Sequence, residues 1–440
     1  MLLESIHLTN YRGHRDLTVR FGPHFNVLVG VNGSGKSSLL NAICDAMTSY
    51  TRYLQIQNGH VQPLQGTNVV RIEVQDQAGR LRFEPQFPVK ISATGVAFST
   101  RCKWSISKSN AEGNPLFEGS SPGDAWQAQQ RNSLTSSGTD SGNSLPMLAF
   151  YRATRQWSQP APNAIAAATK RESKLNGYSY WQDAALDFAE FQGWAIAKCL
   201  ERLESSSEEQ LPFDEVHDDE LALVNGVIAS AVDGSKGLRY DFKQKSLLIE
   251  WQNLASGRIR EPTQFENLSD GQRSIIAMVG DMARRVCLLN PLLGKKAVSD
   301  TPGIVLIDEL DLHLHPQWQR ALTTGLKRAF PALQFIVASH SPQVLGELKP
   351  DEIIVLSKNG PSHPEVSFGL DSSLVLEEIM ESARRSSKVS SRLSDLFTLL
   401  ERNDLEGARK ILDILAIEAP GVPELDGANA LLRRKEVLGK

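Results

Sequence analysis

The pattern of hydrophobic and polar positions predicts strands through the first part of the chain. Residues 6–11 and 17–21 alternate between apolar and polar side chains, as strands with one buried face do. Residues 25–29 form a short apolar run before a glycine, which is typical of a strand buried on both faces. Further alternation within residues 66–108 predicts an antiparallel sheet.

The middle of the chain changes in character. Residues 109–144 are rich in Ser, Gly, Asn and Asp, so we expect a mobile insertion there. Residues 145–151 are apolar and predict a buried strand, whereas residues 158–180 carry Pro, Ala, Asn and Ser and predict a loop. Apolar residues recur at helical spacing in residues 181–204 and 215–232, which predicts a helical lobe.

Short strands and then helices are predicted for the rest of the chain. Residues 238–242 and 247–251 predict two short strands. From about residue 374 onwards the pattern is helical, in helices too short to be stable alone, so this tail packs either on the body of the protein or on a partner. The runs that predict strands buried on both faces are 303–309, 333–339 and 353–357.

Composition is that of a globular protein. The 440 residues are 41% hydrophobic and carry a net charge of −4, which argues against a wholly basic nucleic-acid coat but permits a local basic groove. The four cysteines are scattered without a CxxC pair, which disfavours zinc and disulfides and fits a reducing, cytoplasmic setting. Neither an export signal nor an apolar run of about 18 residues appears, so we expect no membrane association.

A glycine-rich motif follows the apolar run at 25–29. Residues 30–37 match the pattern G-x-x-x-x-G-K-[ST], which forms a phosphate-binding loop when it lies between a strand and a helix. Backbone N–H groups of such a loop point at phosphate oxygens, while Lys36 adds a catalytic positive charge and Ser37 a hydroxyl for Mg²⁺. A plain glycine-rich turn is the alternative. The residues predicted to bind ATP here are Gly30, Asn32, Gly33, Ser34, Gly35, Lys36, Ser37 and Ser38.

Two adjacent carboxylates end the apolar run that begins at residue 303. Burying Asp308 and Glu309 without partners would cost several kcal/mol, and a Mg²⁺–phosphate centre removes that cost. We expect Asp308 to bind Mg²⁺ and Glu309 to orient and deprotonate the attacking water, although a strand-to-helix cap is the alternative. The nearby pair His313 and His315 lacks a third metal ligand, so a turn before a helix at Pro316 is favoured over a metal site.

Two further segments resemble motifs of ABC-type ATPases. Residues 267–274 resemble the ABC signature LSGGQ, with Asp270 in place of its first glycine; alone, they could be an N-cap before an amphipathic helix. The run 333–339 ends at His340, which resembles the switch histidine that contacts the γ-phosphate in catalysis. The resemblance implies that Asp311 communicates between two active sites. It also places three residues at the nucleotide held by the opposite subunit: Ser269, Gly271 and Gln272.

The equivalent of the Q-loop glutamine of ABC ATPases follows the strand predicted at 145–151. Gln156 is the candidate, and the resemblance implies that it binds Mg²⁺. Arg152 or Arg155 could instead contact phosphate, or both could lie in a solvated loop.

The segment Asn10-Tyr11-Arg12-Gly13-His14 resembles the opening motif of the SMC, RecF and OLD branch of these ATPases, which implies that Arg12 lies near the nucleotide. The chain has no room for SMC coiled coils, and its last 70 or so residues, 370–440, show no Toprim domain of the OLD type. The chain is thus identified as a compact SMC/RecF-like ABC ATPase that uses ATP and Mg²⁺.

This resemblance implies an α/β fold with an ABC-type P-loop NTPase head, built on a mixed central sheet. An antiparallel β subdomain, a helical lobe and a short C-terminal helical tail complete it. The expected segments are 1–157 and 261–370 for the two parts of the head, 158–260 for the lobe and an insertion, and 371–440 for the tail.

Compact ATPases of this appearance occur in bacterial anti-phage systems such as Septu and PARIS, beside a separately encoded nuclease. The resemblance implies a homodimer or higher homo-oligomer that closes around ATP and controls a nuclease of the HNH or Toprim type. A RecF-like clamp that binds DNA for repair is the alternative, and a scaffold that hydrolyses hardly any ATP is a third reading. The candidate DNA contacts for the clamp are Arg239, Lys243, Lys245, Arg258 and Arg260.

Overall fold

The structure is a computed structural model of the chain. It describes residues 1–56, 58, 62–65, 69–77, 80–135, 144–155, 164–170, 172–210, 212–216, 219–232, 234–252, 260–380 and 387–438. The strands are β1 (Leu2–Tyr11), β2 (His14–Arg20), β3 (Phe25–Val29), β4 (Arg71–Gln77), β5 (Arg80–Gln86), β6 (Val89–Ala97), β7 (Thr100–Lys108), β8 (Leu116–Ser120), β9 (Met147–Tyr151), β10 (Ser235–Asp241), β11 (Ser246–Trp251), β12 (Thr263–Gln264), β13 (Gly303–Ile307), β14 (Leu333–Ala338), β15 (Ile353–Ser357) and β16 (Gly360–Ser362). The α-helices are α1 (Lys36–Thr51), α2 (Pro122–Thr135), α3 (Ala164–Thr169), α4 (Phe188–Glu209), α5 (Glu220–Ala231), α6 (Asp270–Leu289), α7 (Ala297–Asp300), α8 (Pro316–Ala329), α9 (Pro342–Leu345), α10 (Ser372–Glu378), α11 (Ser387–Glu401), α12 (Leu405–Glu418) and α13 (Glu424–Leu438).

A six-stranded mixed sheet in the order β16-β15-β3-β14-β13-β9 lies within the first compact unit, Met1–Asp371. Its strands pair in parallel, except that β16 is antiparallel to β15. Every residue of β3, β9, β13 and β14 is buried, as expected of parallel strands that are covered on both faces. The predicted α/β fold with a mixed central sheet is therefore confirmed.

Antiparallel strands form the β subdomain of the same unit. One sheet has the order β2-β1-β6-β7-β8, and β6 shows strict alternation of buried and half-buried residues. A separate hairpin pairs β4 with β5. The alternation predicted within residues 66–108 is thus divided between two antiparallel sheets.

The expected mobile insertion at 109–144 is wrong for much of its length. Strand β8 pairs with β7, and α2 follows it. The polar composition of this stretch reflects its hydrogen bonding, since Asp124 accepts bonds from the Ser121 amide and hydroxyl and from the Tyr53 hydroxyl. The Arg52 guanidinium also lies over the Phe117 ring. Residues 136–143 are outside the described part of the chain.

The loop expected at 158–180 is also wrong where the structure describes it. Helix α3 and a 3₁₀ turn, Lys174–Tyr178, occupy this stretch. The Ser173 side chain caps the turn by accepting a bond from the Leu175 amide. Tyr178 is fully buried and donates to the Pro146 carbonyl, so its hydroxyl is satisfied inside the protein. Residues 158–163 and 171 are not described.

A buried network of charges connects α6 with the segment before α4. Asp187 and Asp281 are at most 1% exposed and pair with Arg284 and Arg285, while the Tyr151 hydroxyl donates to Asp281 at 2.8 Å. Burial by itself would raise the pKa of Asp281, but the two guanidinium groups lower it. These charges compensate each other, so removing one leaves an uncompensated charge in the core.

Arg285→Met is therefore expected to lower the free energy of unfolding by about 3–5 kcal/mol, because Asp281 and Asp187 lose a buried partner. Thermal and urea unfolding would measure this loss. Arg239→Met is the control, since Arg239 pairs with Glu250 at a half-exposed site and should contribute less than about 1 kcal/mol. Equal losses of unfolding free energy in the two variants would contradict the conclusion that Arg285 compensates buried charges.

The second compact unit, Ser372–Lys440, contains α10 to α13. Ion pairs such as Arg409 with Glu436 join neighbouring helices at its surface. The unit has a leucine-rich core of its own, so its helices stabilise one another. The buried residues of this core are Leu393, Leu396, Leu400, Ala408, Leu412, Leu415, Leu425, Ala428 and Leu432.

All four cysteines are buried and free. Among the described residues, no helix combines the length and apolar character needed to cross a bilayer.

Candidate nucleotide-binding site

The carboxyl ends of three adjacent parallel strands meet at one edge of the central sheet. Strand β14 lies between β3 and β13, with Val337 opposite both Val27 and Ile307. The loops that follow these strands hold the glycine-rich motif, the paired carboxylates and His340. Ligands of open α/β sheets bind at this edge, so the topology collects the predicted residues at one place.

The glycine-rich loop requires glycine for steric reasons. Gly33 and Gly35 have φ values of 84° and 93°, which side chains rarely adopt. A Cβ on Gly30 would lie 2.6 Å from the Leu356 carbonyl oxygen, and one on Gly35 would lie 2.1 Å from Nε2 of His14. The loop therefore has the tight wrapping of a phosphate cradle.

Lys36 and Ser34 are the polar side chains of this cradle that fit an anion. Lys36 Nζ is buried and donates to the carbonyl oxygens of Gly30, at 2.8 Å, and Val31, at 3.3 Å. Burial lowers the pKa of Lys36, and the nearby Asp308 and Glu309 oppose that shift. The Ser34 hydroxyl is buried without a hydrogen-bond partner. Asn32, Ser37 and Ser38 lie at the more open side of the loop.

The hydroxyl of Ser37 donates to Oδ1 of Asp308 at 3.1 Å. A hydroxyl beside a carboxylate is a set of hard oxygen donors, which suits Mg²⁺. The residues present therefore fit both a phosphate and the ion predicted from the sequence. Gln156, the third predicted ligand, lies outside the described residues.

Glu309 follows Asp308 and is exposed beside the cradle. Its φ is 51°, in the left-handed region, which costs roughly 1–2 kcal/mol for a residue with a Cβ. Backbone conformations of this kind persist only where the surroundings enforce them, and they cluster at functional sites. The predicted role of Glu309 toward water stays a prediction.

Arg155 supplies part of that enforcement, a role that the sequence did not indicate. The expected solvated arginine is wrong for this residue, since Arg155 is buried and its Nη atoms donate to the carbonyl oxygens of Asp308 and Glu309; contact of Arg155 with phosphate stays a prediction. Arg152 is half-buried and donates to Asn41 Oδ1 and the Gln182 carbonyl. No sequence signal marks this role of Arg155, because its acceptors are main-chain atoms far along the chain.

Asp311 and His340 are joined in the structure. Asp311 Oδ1 accepts hydrogen bonds from the Ser339 hydroxyl at 2.6 Å and from the His340 amide at 3.2 Å. Burial lowers the pKa of His340, and Lys36 lowers it further. The lowered pKa favours the neutral form of this imidazole, which follows the strand next to the one that precedes the glycine loop.

The segment resembling the ABC signature begins α6 as a complete capping box. Ser269 accepts a bond from the Gln272 amide, and the Gln272 side chain accepts one from the Ser269 amide. A Cβ on Gly271 would lie 2.4 Å from the His313 carbonyl oxygen, so glycine is required by the loop after the carboxylates. Ser269 and Asp270 remain exposed at the helix end.

Arg12 lies in the turn between β1 and β2. His14, the first residue of β2, contacts the glycine loop. His14 Nε2 is 3.3 Å from the Gly35 carbonyl oxygen, and Arg12 Nε is buried without a partner. Tyr11 donates to Asp45 at 2.9 Å, and burial raises the pKa of Asp45 to about 6. Sequence reasoning did not single out Asp45 or assign a role to His14.

The remaining sequence candidates are His315 and the proposed DNA contacts. His315 caps α8, which begins at Pro316, so the predicted turn is confirmed, and no group of metal-ligating residues occurs in the described ranges. Of the proposed DNA contacts, Arg239 pairs with Glu250 and Arg260 lies over the Trp251 ring at 3.9 Å. Lys243 and Lys245 are in the β10–β11 turn, and Arg258 is not described.

Comparison with known proteins places this site in a family. The profile described as "AAA domain, putative AbiEii toxin, Type IV TA system" matches residues 25–346. The chain is 26% identical to the "Retron Ec83 probable ATPase" of Escherichia coli, over 92% of this chain and 82% of that protein. It is 24% identical to the "Retron Vc95 probable ATPase" of Vibrio cholerae, over 88% and 81% of the two chains.

A shorter similarity covers part of the chain. The "Septu protein PtuA" of Bacillus mycoides is 40% identical over 109 residues, which are 25% of this chain and 14% of that protein. The family match spans well over half of the chain and contains the glycine loop, the capped helix, the paired carboxylates and His340. The chain therefore belongs to the AAA-domain family of that description and is an ATP hydrolase of the SMC- and RecF-like ABC type.

Proposed function

We propose that two copies of the chain close around ATP, so that each glycine loop is completed by the Ser269 end of α6 from the other copy. The observation that carries this proposal is the exposure of Ser269 and Asp270 at the start of a 20-residue helix. A helix N-terminus presents unpaired N–H groups and a positive field, which attract phosphate. The Gln272 bonds orient the Ser269 hydroxyl at that end before any phosphate arrives.

Within each copy, Lys36 would hold the phosphates, and Ser37, Asp308 and Gln156 would hold Mg²⁺. Bound Mg²⁺ would neutralise charge on the phosphate oxygens. Glu309 would accept the proton of the attacking water, and His340 would orient the terminal phosphate. The other residues proposed to contact nucleotide are Gly30, Asn32, Gly33, Ser34, Gly35, Ser38, Arg12, Gly271, Gln272 and Asp311.

We further propose that closure regulates a separately encoded nuclease of the HNH or Toprim type in bacterial anti-phage defence. Support comes from the resemblance to Septu and PARIS ATPases and from the similarity to a Septu protein and to retron ATPases. The tail adds exposed apolar side chains that a partner could cover, with Ile417 and Val437 more than 80% exposed. The four free cysteines fit work in a reducing cytoplasm.

A phage challenge tests the proposed function. Bacteria that carry the natural locus with its flanking genes are expected to lower phage titre, and Lys36→Ala should abolish that protection. Glu365→Gln, at an exposed position of the chain, is the matched control and should protect as the wild type does. Full protection by Lys36→Ala would contradict the proposal. Absence of protection combined with sensitivity to DNA damage on deletion would favour the repair clamp.

A further inference from the structure

Arg155 holds the backbone on both sides of Glu309. Its Nη1 lies 2.6 Å from the carbonyl oxygen of Asp308, and its Nη2 lies 2.7 Å from the carbonyl oxygen of Glu309. A guanidinium is planar with donors in a fixed fork, so two acceptors bound to it are fixed relative to each other. The two carbonyl groups belong to the peptides that flank the Glu309 Cα.

The second of these peptides is held from its other side as well. The Leu310 amide donates to the carbonyl oxygen of Ala338, the last residue of β14, at 2.9 Å. Both dihedral angles of Glu309 are thereby fixed, including its left-handed φ of 51°. Because these angles set the direction of the Cα–Cβ bond, the guanidinium determines the direction in which the exposed Glu309 side chain leaves the backbone.

Arg155 also reaches α6. Its Nε lies 3.5 Å from the hydroxyl of Ser274, little more than one turn after Ser269. The first turn of α6 also contacts the loop that follows the carboxylates. The carbonyl oxygen of His313, in that loop, lies close to Gly271. One buried side chain therefore joins the carboxylate loop to α6, the helix whose N-cap is Ser269.

We propose that Arg155 is a positioning residue for ATP hydrolysis, which aims the Glu309 carboxylate and ties its loop to α6 of the same chain. This inference rests on the proposed role of Glu309 toward water. Arg155 does not need to contact nucleotide, because its donors are directed at main-chain carbonyl oxygens. It acts through the backbone of another residue, so its loss should change turnover more than nucleotide affinity.

Arg155→Lys tests this inference, because lysine keeps the charge but lacks the planar fork. Misplacement of a reacting group by about 1 Å can cost 10²-fold, so we expect kcat to fall about 10- to 100-fold. The Kd for a fluorescent ATP analogue with Mg²⁺, and the KM for ATP, should stay within about threefold of the wild type, as for a residue that acts only on the chemical step. A fall in nucleotide affinity that matches the fall in kcat would overturn the inference.

Arg202→Lys is the matched control. Arg202 is as buried as Arg155, but it pairs with Asp219 in the helical lobe. This variant undergoes the same change of side chain and should keep the wild-type kcat. Equal losses of kcat in the two variants would assign the effect of Arg155→Lys to general destabilisation.

A double variant separates a positioning role from an independent one. If Arg155 acts through Glu309, Arg155→Lys with Glu309→Gln should hydrolyse ATP no more slowly than Glu309→Gln alone. Multiplied losses would overturn the inference. Wild-type hydrolysis by the single Glu309→Gln variant would instead contradict the proposed role of Glu309 directly, so the two failures are distinguishable.

The melting temperature shows whether the variants fold. Should Arg155→Lys not give folded protein, Arg155→Gln retains an amide donor without the charge and takes its place in the same measurements. Failure of both variants to fold would assign Arg155 to stability and overturn the positioning role.

Discussion

Glu309→Gln is expected to lower the rate of ATP hydrolysis about 10²- to 10⁴-fold, because an amide cannot accept the proton of the attacking water. The exposed Glu309 side chain directly follows Asp308, whose carboxylate is bonded to Ser37 in the cradle. Glutamine has the same shape and carries no charge, so ATP binding should be retained. Phosphate release and analogue binding, measured on the same preparation, would separate the two effects.

This variant should also accumulate the closed dimer when ATP and Mg²⁺ are present, because the step that reopens it is blocked. Light scattering after size exclusion would report a doubling of mass with ATP and no change with ADP. Glu365→Gln serves as control and should hydrolyse ATP as the wild type does, since it is exposed. Hydrolysis by Glu309→Gln at the wild-type rate would remove Glu309 from the proposed mechanism.

Lys36→Ala is expected to weaken ATP binding about 10- to 100-fold, which corresponds to the loss of a charged hydrogen bond to phosphate. The Lys36 ammonium is buried at the loop and bonds to the carbonyl oxygens of Gly30 and Val31. Alanine leaves the glycine conformations of the loop unchanged while removing its charge. A nucleotide-induced rise in melting temperature reports binding, and at an ATP concentration near the wild-type Kd it should nearly disappear in this variant.

Lys296→Ala is the control for that change of charge, because Lys296 is exposed at the end of a 3₁₀ turn, Pro291–Lys296, that supplies none of the site residues. It should keep both the nucleotide-induced stabilisation and the rate of hydrolysis. A stabilisation of Lys36→Ala by ATP that equals that of the wild type would contradict the assignment of the loop as the phosphate site.

The parts of the fold that local pattern determines could be predicted from the sequence. Strands buried on both faces are continuous apolar runs, so β3, β13 and β14 were evident, and parallel pairing then collects the loops that follow them. The glycine loop was evident because its backbone conformation demands glycine at fixed positions. Within the glycine loop and within the pair Asp308 and Glu309, the chemical groups come from residues that are adjacent in sequence.

The parts that depend on distant partners could not be predicted. Helix α2 was missed because its polar residues serve as partners of other segments, as Asp124 does for Tyr53. The backbone-holding role of Arg155 and the buried pairing of Arg284 and Arg285 were missed for the same reason, since an arginine in the sequence does not show which carbonyl or carboxylate will meet it. Burial of such groups is a property of the assembled fold.

Mixing two inactive variants tests the shared active site most directly. Lys36→Ala lacks a working glycine loop but keeps Ser269, whereas Ser269→Arg blocks its own helix end but keeps the loop. Each variant alone should hydrolyse almost no ATP, and their heterodimer should contain one complete site. With random pairing and independent sites, an equal mixture should recover about a quarter of the wild-type rate. A mixture that stays as inactive as its components and forms no heterodimer with ATP would contradict the shared active site. In that case the glycine loop of one copy is not completed by the Ser269 end of α6 from another copy.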